Sequence, residues 1–275
     1  MKEPMDELRH GFGNTNQSLE TRMKEQYEHR ARFLLPRRTY TIIRIDGRSF
    51  HSFTSGMHKP FSAELRCAFS VAARTLCEEM QGSVFAYLQS DEASFLLTDF
   101  SAPQTEAWFS GNVQKLASVS ASIFTAAFPK AGATFDSRCF VIPDRVEVKN
   151  YFVWRQQDAV RNSIQAYAQS MFSHNSLRGL SCDGLQDKMF REKGFNWNDA
   201  AAWEKRGTVV VREVRAETIT FTHKITREET TVVADRAHWV DQDAPRFTSD
   251  EFLERSVPRA LSNGGLLAGV KGLLT

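Results

Sequence analysis

The sequence predicts an α+β fold: a ferredoxin-type βαββαβ core, in which an antiparallel sheet carries its helices on one face, followed by a C-terminal extension of helices and a β-hairpin. Three observations predict it. Apolar and β-branched runs at 39–45, 83–98 and 134–142 read as strands, and the middle run folds back on itself at a polar turn. Between them, apolar stripes at helical spacing over 60–80 and 105–128 read as two crossover helices, which completes the split βαβ order. From 208 to 234 the pattern becomes an alternation of apolar and polar residues, the two-residue period of antiparallel strands.

In chain order, residues 1–18 are polar and without periodicity, and read as a flexible N-terminal tail. A charged helix over 19–33, with Met23 and Tyr27 at helical spacing, stops before Pro36. After the first strand, the loop 47–59 carries Arg48, Phe50, His51, His58 and Lys59. Pro60 then opens the first crossover helix, whose Phe61, Leu65, Phe69, Leu76 and Met80 form the stripe that packs on the sheet. The second crossover helix turns Val113, Leu116, Ile123 and Ala127 inward, with Lys115 beside them. Pro143 closes the fourth strand, and a long helix runs over 146–172. Residues 174–206 are mainly helical, with breaks at Gly179, Gly184 and Gly194, and 208–234 form two or three strands around a charged turn at 224–229. The remainder reads as a tail with a short helical piece at 248–255 and glycines at Gly264, Gly265 and Gly269. The chain therefore divides into a tail (1–18), a core (19–143), the long helix with its extension (144–243) and a C-terminal tail (244–275).

Composition bounds the function. At 275 residues, 41% apolar and 25% charged, the chain is long enough for a sizeable core and is not that of a disordered protein. A net charge of +2 and a pI of 8.3 leave any nucleic-acid contact to local clustering of basic side chains. No apolar run approaches the roughly 20 residues of a membrane helix, and Met1-Lys2-Glu3-Pro4-Met5-Asp6 does not read as a signal peptide, so the expectation is a cytoplasmic protein. Cys67, Cys77, Cys139 and Cys182 lack CxxC spacing and sit in apolar or helical patterns, which reads as reduced, structural cysteine.

The chemistry-bearing stretches are Ile42-Ile43-Arg44-Ile45-Asp46-Gly47-Arg48 and Tyr87-Leu88-Gln89-Ser90-Asp91-Glu92-Ala93-Ser94-Phe95. Either alone is as readily an ordinary turn. Together they put three carboxylates, Asp46, Asp91 and Glu92, at one sheet edge, because strands one and three of this topology are neighbours. Acids repel when gathered, so the edge calls for a cation, and hard oxygen ligands suit Mg²⁺. On the long helix, Arg155, Asp158 and Asn162 share a face, a spacing that by itself more often marks a solvated polar stripe.

Seven blocks carry a resemblance: Ile45-Asp46-Gly47-Arg48, Phe50-His51-Ser52-Phe53, Lys59-Pro60, Gln89-Ser90-Asp91-Glu92-Ala93-Ser94-Phe95, Phe135-Asp136-Ser137-Arg138, Tyr151-Phe152-Val153-Trp154-Arg155-Gln156 and Lys205-Arg206-Gly207-Thr208-Val209. In this order, over residues 19–215, they resemble the tRNA(His) guanylyltransferase family. The resemblance implies a palm-like catalytic core that adds nucleotides in the 3′-to-5′ direction to the 5′ end of tRNA, using two Mg²⁺ ions with GTP, ATP and other NTPs, in a homo-oligomer, a tetramer. Carried over by position, Asp46 and Asp91 match the metal-binding and catalytic acids, Gly47 supplies a carbonyl ligand, and Glu92 is the acid beside them. Phe50 and His51 match residues around the activating nucleotide; Arg44, Arg48, Lys59, Lys115 and Arg138 are the expected phosphate ligands, and Asp158 and Asn162 complete the nucleotide site. Lys59, Lys115 and Arg138 are expected to converge over the sheet face near Asp46.

Where eukaryotic members carry His-Ile-Asn-Asn, this chain has Val160-Arg161-Asn162-Ser163, and Leu185 stands where they have a lysine, with Lys188 nearly one turn further on. Both differences resemble the bacterial and phage-type guanylyltransferase-like branch, associated with templated repair of 5′-truncated tRNAs. Two other classes fit less of the pattern. A nucleotidyl cyclase would share the fold and paired acids without needing RNA, and a non-catalytic RNA-binding module would show exposed aromatics on its sheet and no metal acids.

Overall fold

In the computed structural model, which describes residues 17–222, 224, 227–249 and 251–259, six strands form one antiparallel sheet in the order β4-β1-β3-β2-β5-β6. The strands are β1 Tyr40–Gly47, β2 Ser83–Gln89, β3 Glu92–Thr98, β4 Phe135–Ile142, β5 Thr208–Thr222 and β6 Glu229–Asp243. Helix α1 (Leu19–Met23) continues as irregular turns to Ala31; α2 is Phe50–Phe53, α3 Ala63–Glu79, α4 Val113–Ala127 and α5 Arg145–Met171. Short helices α6 His174–Leu177, α7 Cys182–Lys193, α8 Ala202–Arg206 and α9 Phe252–Ser256 complete the described residues. No helix among them is long and apolar enough to cross a membrane. The N-terminal tail to residue 16 and the glycines beyond 259 lie outside the described residues.

The central strands are apolar at odd and even positions alike, so both faces of the sheet need cover. Ile43, Ile45, Ala86, Leu88, Phe95 and Leu97 meet α3 and α4 on one face. Tyr40, Ile42, Phe85, Tyr87 and Leu96 meet Val148, Tyr151 and Phe152 of α5 on the other. The core helices α3 and α4 thus share one face as expected, and α5, expected as part of the extension packed on the core, covers the second. Residues 244–257, read as tail, belong to this second layer: Phe247 packs edge-on to Tyr87 at 5.1 Å, and Phe252 and Leu253 are buried. The second half of α5 carries a third cluster, in which Ile164, Tyr167 and Ala168 pack on Leu185 and Met189 of α7.

Several boundaries moved for identifiable reasons. Helix α3 starts at Ala63 and not at Pro60, because the Ser62 hydroxyl accepts the Leu65 N–H and caps it. Helix α4 starts at Val113 and not near 105, capped by Asn112 through the Lys115 N–H. Gly184 does not break a helix; it lies in the first turn of α7, where its N–H is taken by Ser181. The hairpin runs to Asp243 and not to Ala234, since its outer strand is an edge whose outward residues are polar and mask the alternation.

Candidate active site

The acids meet where β1 ends. Asp46 stands opposite Glu92 on one side and Asp136 on the other. Ser90 and Asp91 form the two-residue turn between β2 and β3, with Ser90 at φ 49°, and the Asp91 carbonyl accepts the Gly47 N–H at 2.9 Å. That bond and the Arg48 N–H to the Thr134 carbonyl, also 2.9 Å, hold three loops together around Asp46. Gly47 is required here: a Cβ would fall 2.2 Å from the ring of Phe50. Phe50 is 4% exposed and packs on Phe53, Phe69 and Phe135, so α2 is anchored directly beneath the acids.

Electrostatics mark this edge as incomplete. Burial raises the Asp46 carboxyl above its ordinary range, and repulsion from Asp91 and Asp136 adds to it, against weaker offsets from Arg138 and Arg44. Arg138 bridges Asp46 at 3.8 Å and Asp136 at 3.6 Å, too far for a close charge-assisted bond. Among the described residues no group of three His, Cys, Asp or Glu side chains surrounds one point. The donors this edge offers a cation are the carboxylates of Asp46, Asp91 and Asp136 and backbone carbonyl oxygen. These are hard oxygen donors in a surplus of negative charge, which fits Mg²⁺.

A polar network behind the acids ties them to α5. Glu92, 9% exposed, binds Arg155 at 3.0 Å and takes the Ser94 hydroxyl at 3.2 Å. Ser94 also meets the Tyr151 hydroxyl at 2.8 Å, whose pKa burial pushes up to about 12. Burial raises the Glu92 carboxyl too, with Arg155 and Arg44 opposing. The second Arg155 nitrogen bridges Asp158 at 3.0 Å, and Asp158 also holds Arg161 and, at 3.4 Å, the Asn162 amide. On that face Arg155 and Asp158 are thus no solvated stripe, while Asn162 is exposed. Glu92, expected as a catalytic acid, is committed to Arg155, and Asp158, expected at the nucleotide, is committed to two arginines. Arg155, 6% exposed, is a residue the sequence reading left out of the site. Its signal was the i, i+3 spacing to Asp158 combined with an acid at a strand start.

In front of the acids lies a cleft of about 450 Å³. The loop after β1 contributes His51 and Lys59, both exposed; the turn contributes Ser90 and Asp91; and α5 contributes Asn162. Its far wall is Trp203 and Gly207, where α8 turns into β5. Gly207 has φ 81°, and a Cβ there would lie 2.3 Å from the Leu88 carbonyl. Phe50 touches the cleft only from below. Arg44 lies half-buried on the α5 face with its Nε unpartnered, Arg48 is exposed at the end of β1, and Arg138 is half-exposed beside Asp46. Lys115 does not join them: it is exposed on α4, outside the cleft, its ammonium 5.6 Å from the Phe109 ring. Of the three cations expected to converge, Lys59 lines the cleft, Arg138 stands beside Asp46 without lining it, and Lys115 joins neither.

Comparisons with known proteins agree with this geometry. The sequence model of the family described as tRNAHis guanylyltransferase matches residues 20–143. A probable tRNA(His) guanylyltransferase of Dictyostelium discoideum is 30% identical over 209 residues, 67% of this chain and 80% of the relative. Among solved structures, a bacterial tRNA(His) guanylyltransferase-like protein in complex with ATP superposes with a TM-score of 0.74 at 40% identity, covering 87% of this chain and 99% of that one. A bacterial protein of the same description in complex with GTP gives 0.71 at 38%, over 86% and 98%. The paired strand-edge acids, the cleft before them and these similarities together show that the chain belongs to the tRNA(His) guanylyltransferase family, whose members are nucleotidyltransferases.

Proposed function

We propose that this chain is a Mg²⁺-dependent nucleotidyltransferase that extends the 5′ end of tRNA in the 3′-to-5′ direction, pairing each added nucleotide with the opposite strand of the acceptor stem. The observation that supports it most is the pair of strand-edge acids: Asp46, whose raised carboxyl is under-neutralised, and Asp91, which lines a cleft that also carries Lys59 and His51. In the reaction, the 3′-hydroxyl oxygen of the incoming nucleotide bonds to the α-phosphorus at the RNA 5′ end. The bond from that phosphorus to pyrophosphate, or to AMP where the end is adenylylated, breaks, and the hydroxyl proton is lost. Asp46, Asp91 and the Gly47 carbonyl would hold two Mg²⁺, which when bound lower the pKa of the hydroxyl and neutralise the departing phosphate.

The chain's own residues do the rest. Lys59 offers a cation to triphosphate oxygens in the cleft, Arg48 is exposed at the end of β1, and Arg44 stands half-buried on the α5 side with its Nε unpartnered. Arg155 fixes Glu92 and keeps that acid from competing for the metals, a positioning role. Templating follows from Val160-Arg161-Asn162-Ser163: of these, only Asn162 and Ser163 face the cleft, and Ser163 already accepts the Trp197 N–H at 3.0 Å. With few side chains free to read a base, base pairing supplies the choice. ATP and GTP, bound in the bacterial structures, are the proposed nucleotides here, and a cytoplasmic homo-oligomer, a tetramer, is the proposed assembly. The test is incubation with 5′-truncated tRNAs whose opposing base is varied, followed by sequencing of the added nucleotides. Addition complementary to each base is expected; guanosine regardless of that base would restore a single-guanosine activity, and no addition at all would remove the assignment.

A further inference from the structure

Helix α5 has a second concavity on its other side. A cleft of about 480 Å³ lies between α5, the start of α7, the end of α8 and the segment after β6, a size suited to part of a larger ligand. Its floor is apolar, from Val153, Val160 and Ile164. Its rim is mainly basic: Lys205 and Arg206 come from α8, Arg246 from the segment following β6 and Arg161 from α5, against one acid, Asp183 of α7.

Three of these cations are not consumed by the fold. Among the described residues Arg206 spends only its Nε, on the Ala244 carbonyl at 3.3 Å. Lys205 donates to the Asn198 carbonyl and lies 5.8 Å from the Trp197 ring, contacts that orient an ammonium without neutralising it. Exposed Arg246 makes no ion pair among the described residues. Burial, Arg206 and Arg246 all lower the Lys205 pKa, outweighing Asp199 and Glu204, so the three charges strain against one another. On the same rim Arg161 is balanced by Asp158, which shows that this protein pairs a cation where the pairing is structural.

We propose that this second cleft is a phosphate-binding site for a nucleic-acid strand, in which Lys205, Arg206 and Arg246 hold backbone phosphate of the RNA at a distance from its reacting 5′ end. The inference rests on the tRNA reading above. Elongated polyanions are recognised by such convergent cations, and each phosphate contact contributes affinity that falls with salt. Helix α8 links the two clefts, since Trp203 and Gly207 line the first while Lys205 and Arg206 line the second, so RNA held behind α5 would be held in register with the acids in front of it.

The experiment is fluorescence anisotropy of the full chain with a 5′-truncated tRNA over a range of KCl, comparing wild type with Arg246→Ala, Lys205→Gln and Arg191→Ala, a control on the exposed face of α7. GTP binding is measured alongside, and circular dichroism establishes folding of each variant. Among the described residues the Arg246 side chain makes no hydrogen bond or ion pair, so its variant stands if Lys205→Gln unfolds. Expected are a three- to tenfold weaker Kd for tRNA in both cleft variants and a salt slope shallower by about one per removed charge, with GTP affinity and Arg191→Ala unchanged. Weaker GTP binding with unchanged tRNA binding would mean that the cleft takes free nucleotide and would overturn the proposal. Equal tRNA affinity and slope across all folded proteins would overturn it while leaving the tRNA reading intact; wild type that binds no tRNA would remove both.

Discussion

The two faces of the sheet are built on different terms. Beneath α3 and α4 lies a dry layer in which Phe50, Phe69, Phe124, Phe128 and Phe135 touch one another at centroid distances such as 4.8 Å for Phe124 and Phe135. Beneath α5 the layer is mixed. Aromatic packing, as of Phe85 on Phe152 at 4.6 Å, gives way toward the acids to Glu92, Arg155, Ser94 and Tyr151. The difference teaches where this protein puts its strain. A buried ion pair contributes little or nothing net to stability compared with an apolar replacement, yet removing one partner is costly. Such a pair belongs where geometry matters more than stability, and here it stands immediately behind the acids.

The comparison breaks most sharply at Asp46. Asp46→Asn is expected to lower nucleotide addition by about 10³-fold, a barrier increase of about 4 kcal/mol, through loss of a metal-bridging charge. The same change is expected to raise the melting temperature of the metal-free protein. The sign follows from the raised carboxyl: the folded chain holds the Asp46 proton more tightly than the unfolded chain does. The stability Asp46 contributes is therefore fully present below the unfolded carboxylate pKa and is lost as pH rises through the folded value. Melting curves of wild type and variant over an acid-to-neutral series, in EDTA, check this; parallel curves would show that Asp46 carries no such strain. In wild type, divalent affinity should rise over that same pH window as the cation displaces the proton.

On the dry face the expectation reverses. Phe124 is fully buried, and Phe124→Ala should cost about 3–5 kcal/mol in denaturant unfolding while kcat/KM of the folded enzyme stays near wild type. A kinetic loss as large as that of Asp46→Asn would erase the division between the faces. Glu92→Gln falls between: it leaves the buried Arg155 charge with Asp158 alone, and the expected loss is about 10- to 100-fold in activity through misplaced acids. Its mark is a fall in Mg²⁺ affinity along with rate, read from activity titrated against Mg²⁺. The smallest effect belongs to Lys115→Ala. An exposed lysine over one ring should change stability by less than about 1 kcal/mol and leave the KM for nucleotide unchanged. A raised KM would return Lys115 to the phosphate ligands.

Local patterns determined much of this molecule. Strands β1 to β4 and helix α5 were legible because their apolar spacing is a property of a few consecutive residues, and α5 begins within one residue of the expected position. Asp46 and Asp91 were legible because an acid ending a strand and an acid in a two-residue turn are local features, and the βαββαβ order alone makes their strands neighbours.

What lay beyond the sequence was every decision made across space. The Glu92–Arg155 pair joins residues 63 apart, and only the docking of α5 on the second face decides that Glu92 is held by an arginine. Lys115 looked like a cleft residue because its neighbours on α4 face inward, but burial of Leu116, Ser120 and Phe124 fixes the rotation of α4 and leaves Lys115 exposed over the Phe109 ring. The segment 244–257 looked like a tail because its few apolar residues, Phe247, Phe252, Leu253 and Val257, have no regular period. They are held by the sheet face they cover, a surface formed by strands more than a hundred residues earlier, and burial of that kind leaves no signature in the segment itself.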